Sequence, residues 1–286
     1  MKQLDRPIIV VGTHRSGTTF LGEVLERHPD VAYWVEPRHV WTFGNAFKPD
    51  DLLTAEDARE RVVKKIRRVF GRFTQKHGAS RFAEKTPSNC MRLEFIDAVF
   101  PDCRFVHIHR DGRGVVRSTR EKVSAQSPEM KWVFRRLAGT PVYEWPALAS
   151  RFMLTFGSRL RGKPMAFWGP RPPGWRSWLE QHDPHHVLLA KQWSGTIRPV
   201  LEFRETMPAE RWMDIGYAEF TRDPVQTTRR VLEWADLSRD TGVLSYVEQQ
   251  ADPGRVDRWR QAFTEQELAD MRPIIEDDLR ALGYEW

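Results

Sequence analysis

The run Pro7-Ile8-Ile9-Val10-Val11, followed at once by Gly12-Thr13-His14-Arg15-Ser16-Gly17-Thr18-Thr19, constrains this chain more than any other feature. An uninterrupted β-branched run predicts a buried strand. Phe20, Leu21, Val24 and Leu25 then recur at helical spacing, with an end near His28-Pro29. In a strand, glycine-bounded loop and helix, successive backbone N–H groups and the helix N-terminus face an anion. Ser16, Thr18 and Thr19 add hydroxyl donors. The alternative is a plain glycine-containing turn.

Further strands alternate with helices. Val31–Val35 and Arg104–His109 read as strands, and Arg81-Phe82-Ala83 as a third that leads into Glu84-Lys85-Thr86-Pro87. Ala58, Val62, Ile66, Val69 and Phe73, with basic residues between them, predict one amphipathic helix over 54–77. Leu93, Ile96, Val99 and Phe100 mark another helix, and Val115 to Glu121 opens one after the turn Asp111-Gly112-Arg113-Gly114. Helices are expected over 185–207, from Asp223-Pro224, and over 264–282, with a late strand over 211–217. This alternation predicts an α/β chain: a P-loop-type three-layer fold whose central parallel sheet is flanked by helices. The whole of 1–286 reads as one domain, with an irregular, Pro- and Trp-rich insertion at about 122–184.

Composition narrows the partners. The 45 basic and 39 acidic residues give a net charge of +6, which favours an anionic ligand. Two cysteines, Cys90 and Cys103, exclude a disulfide scaffold. They suit a reducing compartment, and with no secretory h-region or 18-residue apolar run the expected location is cytoplasmic. No HExxH pattern or clustered His/Cys/Asp set occurs, so no metal is expected. No RNA-binding module is visible, and nucleic acid is not an expected partner. The first loop departs from a nucleotide-triphosphatase loop at one place: Thr18 stands where Lys reaches the terminal phosphates, and a cation comes earlier, at Arg15. That weakens a kinase using ATP and Mg²⁺, the rival enzyme class.

The chain resembles the sulfotransferase superfamily that uses 3′-phosphoadenosine 5′-phosphosulfate (PAPS), in its carbohydrate and tyrosylprotein branch. Three elements carry the resemblance. The segment Thr13, His14, Arg15, Ser16, Gly17, Thr18 and Thr19 is similar to the family's 5′-phosphosulfate loop, followed by His28-Pro29-Asp30-Val31. The segment Arg104 to Ser118, with Arg110-Asp111-Gly112-Arg113 at its centre, is similar to the 3′-phosphate element, which implies that Arg110 and Ser118 hold that phosphate. The segment Glu84-Lys85-Thr86-Pro87-Ser88-Asn89 resembles the one whose Lys meets the sulfuryl group or bridging oxygen, here Lys85.

The run Val35-Glu36-Pro37-Arg38 resembles the region of the family's catalytic Glu, which implies Glu36 as general base. A carboxylate there is otherwise an ion-pair partner of Arg38 or Arg15. The resemblance also implies a nucleotide contact from Tyr217 and, more loosely, from Gly254, Arg255 and Arg258. The implied catalytic set is Glu36, Lys85 and Arg15. The implied reaction moves a sulfuryl group from PAPS to an acceptor hydroxyl, with a carbohydrate, glycolipid or other alcohol favoured over a tyrosylprotein or phenol. Residues 122–190 show almost none of the resemblance, and acceptor contacts are expected there.

Overall fold

The computed structural model describes residues 4–125, 146, 167–252, 254 and 256–286. Along the chain, β1 (Ile8–Val11) is followed by α1 (Thr18–Glu26), β2 (Val31–Val35), α2 (Arg38–Trp41), α3 (Glu60–Lys76), β3 (Arg81–Lys85), α4 (Leu93–Val99), β4 (Arg104–His109) and α5 (Gly112–Ala125). Beyond residue 167 come α6 (Trp175–Glu180), α7 (His185–Arg204), β5 (Trp212–Gly216), α8 (Tyr217–Arg222), α9 (Pro224–Trp234), α10 (Thr241–Gln250) and α11 (Glu265–Ala281).

The strands form one five-stranded sheet in the order β2-β3-β1-β4-β5, and every pairing is parallel. Alternation of side chains along β1 divides the core in two. Ile9 and Val11 face a cluster built with Phe82, Phe105 and Trp212, and roofed by α3, α4, α5, α7 and α11. Ile8 and Val10 face a second cluster with Ala83, Val106 and Ile108, covered by α1, α8, α9 and α10. All four residues of β1 are fully buried, the expected state of a central strand covered on both faces. The result is the predicted three-layer α/β fold.

Two elements differ from the sequence reading. The helix expected over 54–77 is interrupted. Thr54 and Asp57 close a capping box around a 3₁₀ turn at Ala55–Asp57. Arg59 is then extended (φ −59°, ψ 147°) before α3 begins, and its guanidinium donates to Gly44 O at 2.7 Å and Asn45 Oδ1 at 2.6 Å. Those partners lie 15 and 14 residues upstream, so local periodicity cannot report the break. The buried stripe of α3 is Val62, Ile66, Phe70 and Thr74. The third strand also extends beyond Ala83 to Lys85, which puts Glu84 and Lys85 inside the sheet rather than after it. Most of the insertion expected at 122–184 lies outside the described residues; α5 runs into its start and α6 lies near its end.

Strand order places the site. The chain leaves β1 towards β2 on one side and leaves β4 towards β5 on the other, so the switch point lies between β1 and β4. Open α/β sheets bind ligands outside the carboxyl ends of strands at such a point. The loop 12–17 follows β1 there, and Arg110 follows β4.

Candidate active site

Glycines shape the first loop. A Cβ at Gly12 would stand 2.5 Å from the Ile108 carbonyl oxygen, and one at Gly17, where φ is +98°, would stand 2.6 Å from Cδ2 of Tyr217. Ser16 braces the turn, its Oγ donating to Thr13 O at 2.6 Å. Arg15 takes a left-handed φ of 66°. Among the described residues no side chain caps α1, and its first turn holds no acidic residue. The N–H groups of that turn and the positive end of the helix dipole are thus directed at the mouth of the loop.

Three of the expected phosphate-binding residues converge on this loop. Arg15 Nε donates to Ser118 Oγ at 3.0 Å, and Arg110 Nη1 donates to Arg15 O at 3.2 Å. The Arg110 guanidinium lies over the Tyr217 ring, 4.5 Å from its centre. Burial draws Arg110 below its ordinary value; Tyr217 and Asp111 oppose this, and the cations Arg15 and Arg117 reinforce it. Cations crowded in a partly buried mouth repel one another, and a polyanion relieves that repulsion. His14 is different. Burial, then Arg15 and Arg38, push it down to about 3, so it is neutral at pH 7. Its buried Nδ1 has no hydrogen-bond partner among the described residues, and its ring meets Trp168 edge-on at 5.6 Å.

A second constellation forms at the ends of β2 and β3. Parallel register sets Val35 opposite Lys85, and Glu36 N then donates to Lys85 O at 3.0 Å. The Lys85 ammonium donates to Glu36 Oε1 at 2.9 Å, while Arg38 holds Oε2 at 3.1 Å. Among the described residues Glu36 pairs with Arg38 and Lys85, while Arg15 turns to Ser118. Lys85 is 4% exposed and Glu36 lies at the rim. Behind Lys85, Glu84 is fully buried, accepting from Thr86 Oγ1 at 2.9 Å and from Asn89 Nδ2. Burial raises Glu84 to about 7 against the bonds and charges of Thr86, Lys85 and Arg92 that lower it.

Of the expected C-terminal contacts, Gly254 and Arg258 bond to each other within the described residues. Arg258 Nε donates to Gly254 O at 3.2 Å and its guanidinium faces Asp252 at 3.7 Å, all within one loop. Arg255 lies outside the described residues. Trp259 in the same segment is buried and packs under Arg113 at 3.9 Å, which ties this loop to the start of α5.

Comparison with known proteins decides the family. The model of the Sulfotransferase family matches residues 7–163 and 164–241. This chain belongs to the sulfotransferase family. A putative protein-tyrosine sulfotransferase of Caenorhabditis briggsae is 27% identical over 127 residues, covering 43% of this chain and 45% of that protein. Carbohydrate sulfotransferase 5 of Homo sapiens is 50% identical over 36 residues, 12% of this chain and 9% of that protein. The matches span less than half the length of these curated relatives. Among solved structures, the sulfotransferase domain from the curacin biosynthetic pathway has a TM-score of 0.59 at 13% identity, covering 99% of both chains. Sulfotransferase STF9 from Mycobacterium avium has a TM-score of 0.59 at 16% identity, covering 99% of this chain and 78% of that one. At these identities the structures show the shared fold.

Several residues that shape this candidate site escape a reading by motif. Asp51 accepts from Arg92 Nη2 at 3.0 Å, Ser88 Oγ at 3.2 Å and Arg171 N at 3.0 Å. It thereby fastens the 3₁₀ turn at Pro87–Met91 that follows Lys85. No spacing in the sequence announces a contact over 120 residues. Asp111, by contrast, was open to recognition: its carboxylate accepts Arg113 N at 2.9 Å, the signature of a helix N-cap. Among the described residues no group of three or more His, Cys, Asp or Glu could hold a metal ion, and no helix is long and apolar enough to cross a membrane.

Proposed function

We propose that this protein transfers a sulfuryl group from PAPS to an acceptor hydroxyl, with Glu36 as general base, and that the acceptor is a carbohydrate, glycolipid or other alcohol. The observation that carries the reading is the Lys85–Glu36–Arg38 cluster at the same carboxyl edge of the sheet as the uncapped anion loop. The loop N–H groups, Arg15 and the hydroxyls of Ser16, Thr18 and Thr19 would hold the 5′-phosphosulfate. Arg110 and Ser118 would grip the 3′-phosphate, with Tyr217 setting the Arg110 plane. When bound, PAPS supplies an activated sulfuryl group whose departure leaves adenosine 3′,5′-bisphosphate. Glu36 would take the acceptor proton as the acceptor oxygen bonds to sulfur. Lys85 would stabilise the charge that grows on the leaving phosphate oxygen as the old S–O bond breaks. Positioning and charge stabilisation are the work of these residues, as in phosphoryl transfer.

A tyrosyl acceptor is the second reading. It is favoured by the 127-residue match to a putative protein-tyrosine sulfotransferase, against 36 residues for the carbohydrate relative. Transfer of label from PAPS to a panel of sugar, glycolipid and tyrosyl-peptide acceptors separates the two.

Calorimetric titration tests the donor. The protein is expected to bind adenosine 3′,5′-bisphosphate in preference to adenosine 5′-phosphate and to ATP–Mg²⁺. Arg110→Ala should weaken the bisphosphate by roughly tenfold to a hundredfold, the worth of a charged hydrogen bond, and adenosine 5′-phosphate far less. Equal losses for both ligands would refute the 3′-phosphate role, and a preference for ATP–Mg²⁺ would overturn the donor.

A further inference from the structure

The catalytic reading leaves the charge on α3 unused. This 17-residue helix carries Arg61, Lys64, Lys65, Arg67, Arg68, Arg72 and Lys76 against one acid, Glu60. At 1.5 Å per residue it is about 25 Å long. Its buried stripe faces the core, and Arg67 turns aside to donate to Val99 O at 2.7 Å. Arg61, Lys64, Lys65, Arg68, Arg72 and Lys76 are exposed. Their steps of three or four residues put them along one side of the helix.

A merely solvated helix interleaves its signs. On α11, Arg272 and Arg280 both reach Glu276, and Arg280 also reaches Asp277. On α3, Lys64 pairs with Glu60, while Arg61, Lys65, Arg68, Arg72 and Lys76 make no ion pair among the described residues. Like charges repeated at this spacing repel, so the fold holds a strip of charge that the acids among the described residues do not pair, Glu60 apart.

An apolar element lies at one end of the strip. Phe43 sits under the Lys65 ammonium, 5.7 Å from the ring centre, and shares a shallow hollow with Glu60, Arg61, Lys64 and Arg68. Phe47, in the same loop, is 68% exposed. Three bonds fasten that loop to the start of α3: Arg59 to Gly44 O, Arg59 to Asn45 Oδ1, and Lys48 to Asp57 at 2.6 Å. Cations that meet phosphates, beside a ring that enters the headgroup boundary, are the two terms of binding to an anionic bilayer. A soluble polyanion would use the cations and leave Phe47 in water.

We propose that the exposed face of α3, with the Phe43–Phe47 loop, docks this protein on an anionic lipid surface. The docking is independent of the chemistry at Glu36. Its test is flotation of the whole chain with vesicles of phosphatidylcholine plus phosphatidylserine, against phosphatidylcholine alone. The mixed vesicles should bind and the neutral ones should not, and binding should fall steeply with added salt. Each basic residue near such a surface is worth about fivefold in affinity. The triple variant Arg61→Glu/Lys65→Glu/Arg68→Glu should therefore lose at least roughly a hundredfold. These side chains are exposed, so its melting temperature should match the wild type. Phe47→Ser should weaken vesicle binding while leaving heparin binding unchanged. Equal binding to neutral and anionic vesicles would overturn the proposal. So would vesicle affinity unchanged in the triple variant, or heparin binding without vesicle binding.

Discussion

Glu36 adopts φ +48°, a region that costs a non-glycine residue free energy and is retained only where surrounding contacts over-determine it. Those contacts are present. Glu36 N donates to Lys85 O at 3.0 Å and Arg38 N donates to Glu36 O at 2.7 Å, while both carboxylate oxygens are taken by cations. A carboxylate shared by two cations is a poor base, so the proposed reaction needs Lys85 to exchange Glu36 for the donor. We predict that Glu36→Gln lowers turnover by about 10²–10⁴, the usual worth of a general base, and leaves the affinity for adenosine 3′,5′-bisphosphate within a few-fold of wild type. Single-turnover rates with labelled PAPS beside calorimetry separate these; near-wild-type turnover would sink the base assignment. Glu36 was legible as a candidate through the resemblance of Val35-Glu36-Pro37-Arg38 to the region of the family's catalytic Glu. Lys85 was legible from the Glu84-Lys85-Thr86-Pro87 segment, but its pairing with Glu36 was not, since only the parallel register of β2 on β3 joins residues 49 positions apart.

The β1–α1 turn shows how one element makes a site. Its strand was readable because a central parallel strand, buried on both faces, is a continuous apolar run. Its loop was readable because two glycines bound it. The start of α3 and the end of β3 were not readable, for they are set by bonds to residues 44 and 45 and by pairing with β1 and β2. Gly17 tests the turn itself. Alanine there meets two obstacles: a φ of +98°, and a Cβ position 2.6 Å from the Tyr217 ring. The left-handed backbone alone costs an L-residue about 1–2 kcal/mol, and displacement of Tyr217 adds to it and disturbs the ring under Arg110. Gly17→Ala should therefore lower unfolding stability by about 2 kcal/mol or more and weaken both adenosine 5′-phosphate and the 3′,5′-bisphosphate. Denaturant melts and titrations read the two effects, and a variant as stable as wild type would contradict the turn geometry.

At the scale of the whole molecule, Arg113 joins parts of the chain that no local pattern connects. Its guanidinium grips Asp111 at 2.7 Å and donates to Glu285 O at 2.7 Å, 172 residues away. It lies over Trp259 at 3.9 Å and near Trp286 at 5.1 Å. Tyr284 completes the same junction, its hydroxyl 3.1 Å from His109 Nδ1 and 3.3 Å from His109 O. Burial, reinforced by His107, pushes His109 down to about 4, so that histidine is neutral at pH 7. The segment after α11 therefore pins His109 directly, and Asp111 through Arg113, on either side of Arg110. Arg113 is 4% exposed, and removing one partner of a buried pair costs about 3–5 kcal/mol. Arg113→Ala should lose stability on that order and release Asp111 to compete for Arg110. Binding of adenosine 3′,5′-bisphosphate should then weaken at least tenfold, about 1.4 kcal/mol, while adenosine 5′-phosphate, which the β1–α1 loop is proposed to hold, should change little. Titration of both ligands below the variant's melting range decides the matter. Loss of stability with bisphosphate affinity intact would make the junction a brace for the fold alone, and loss of both would tie the last segment of the chain to the grip on the donor.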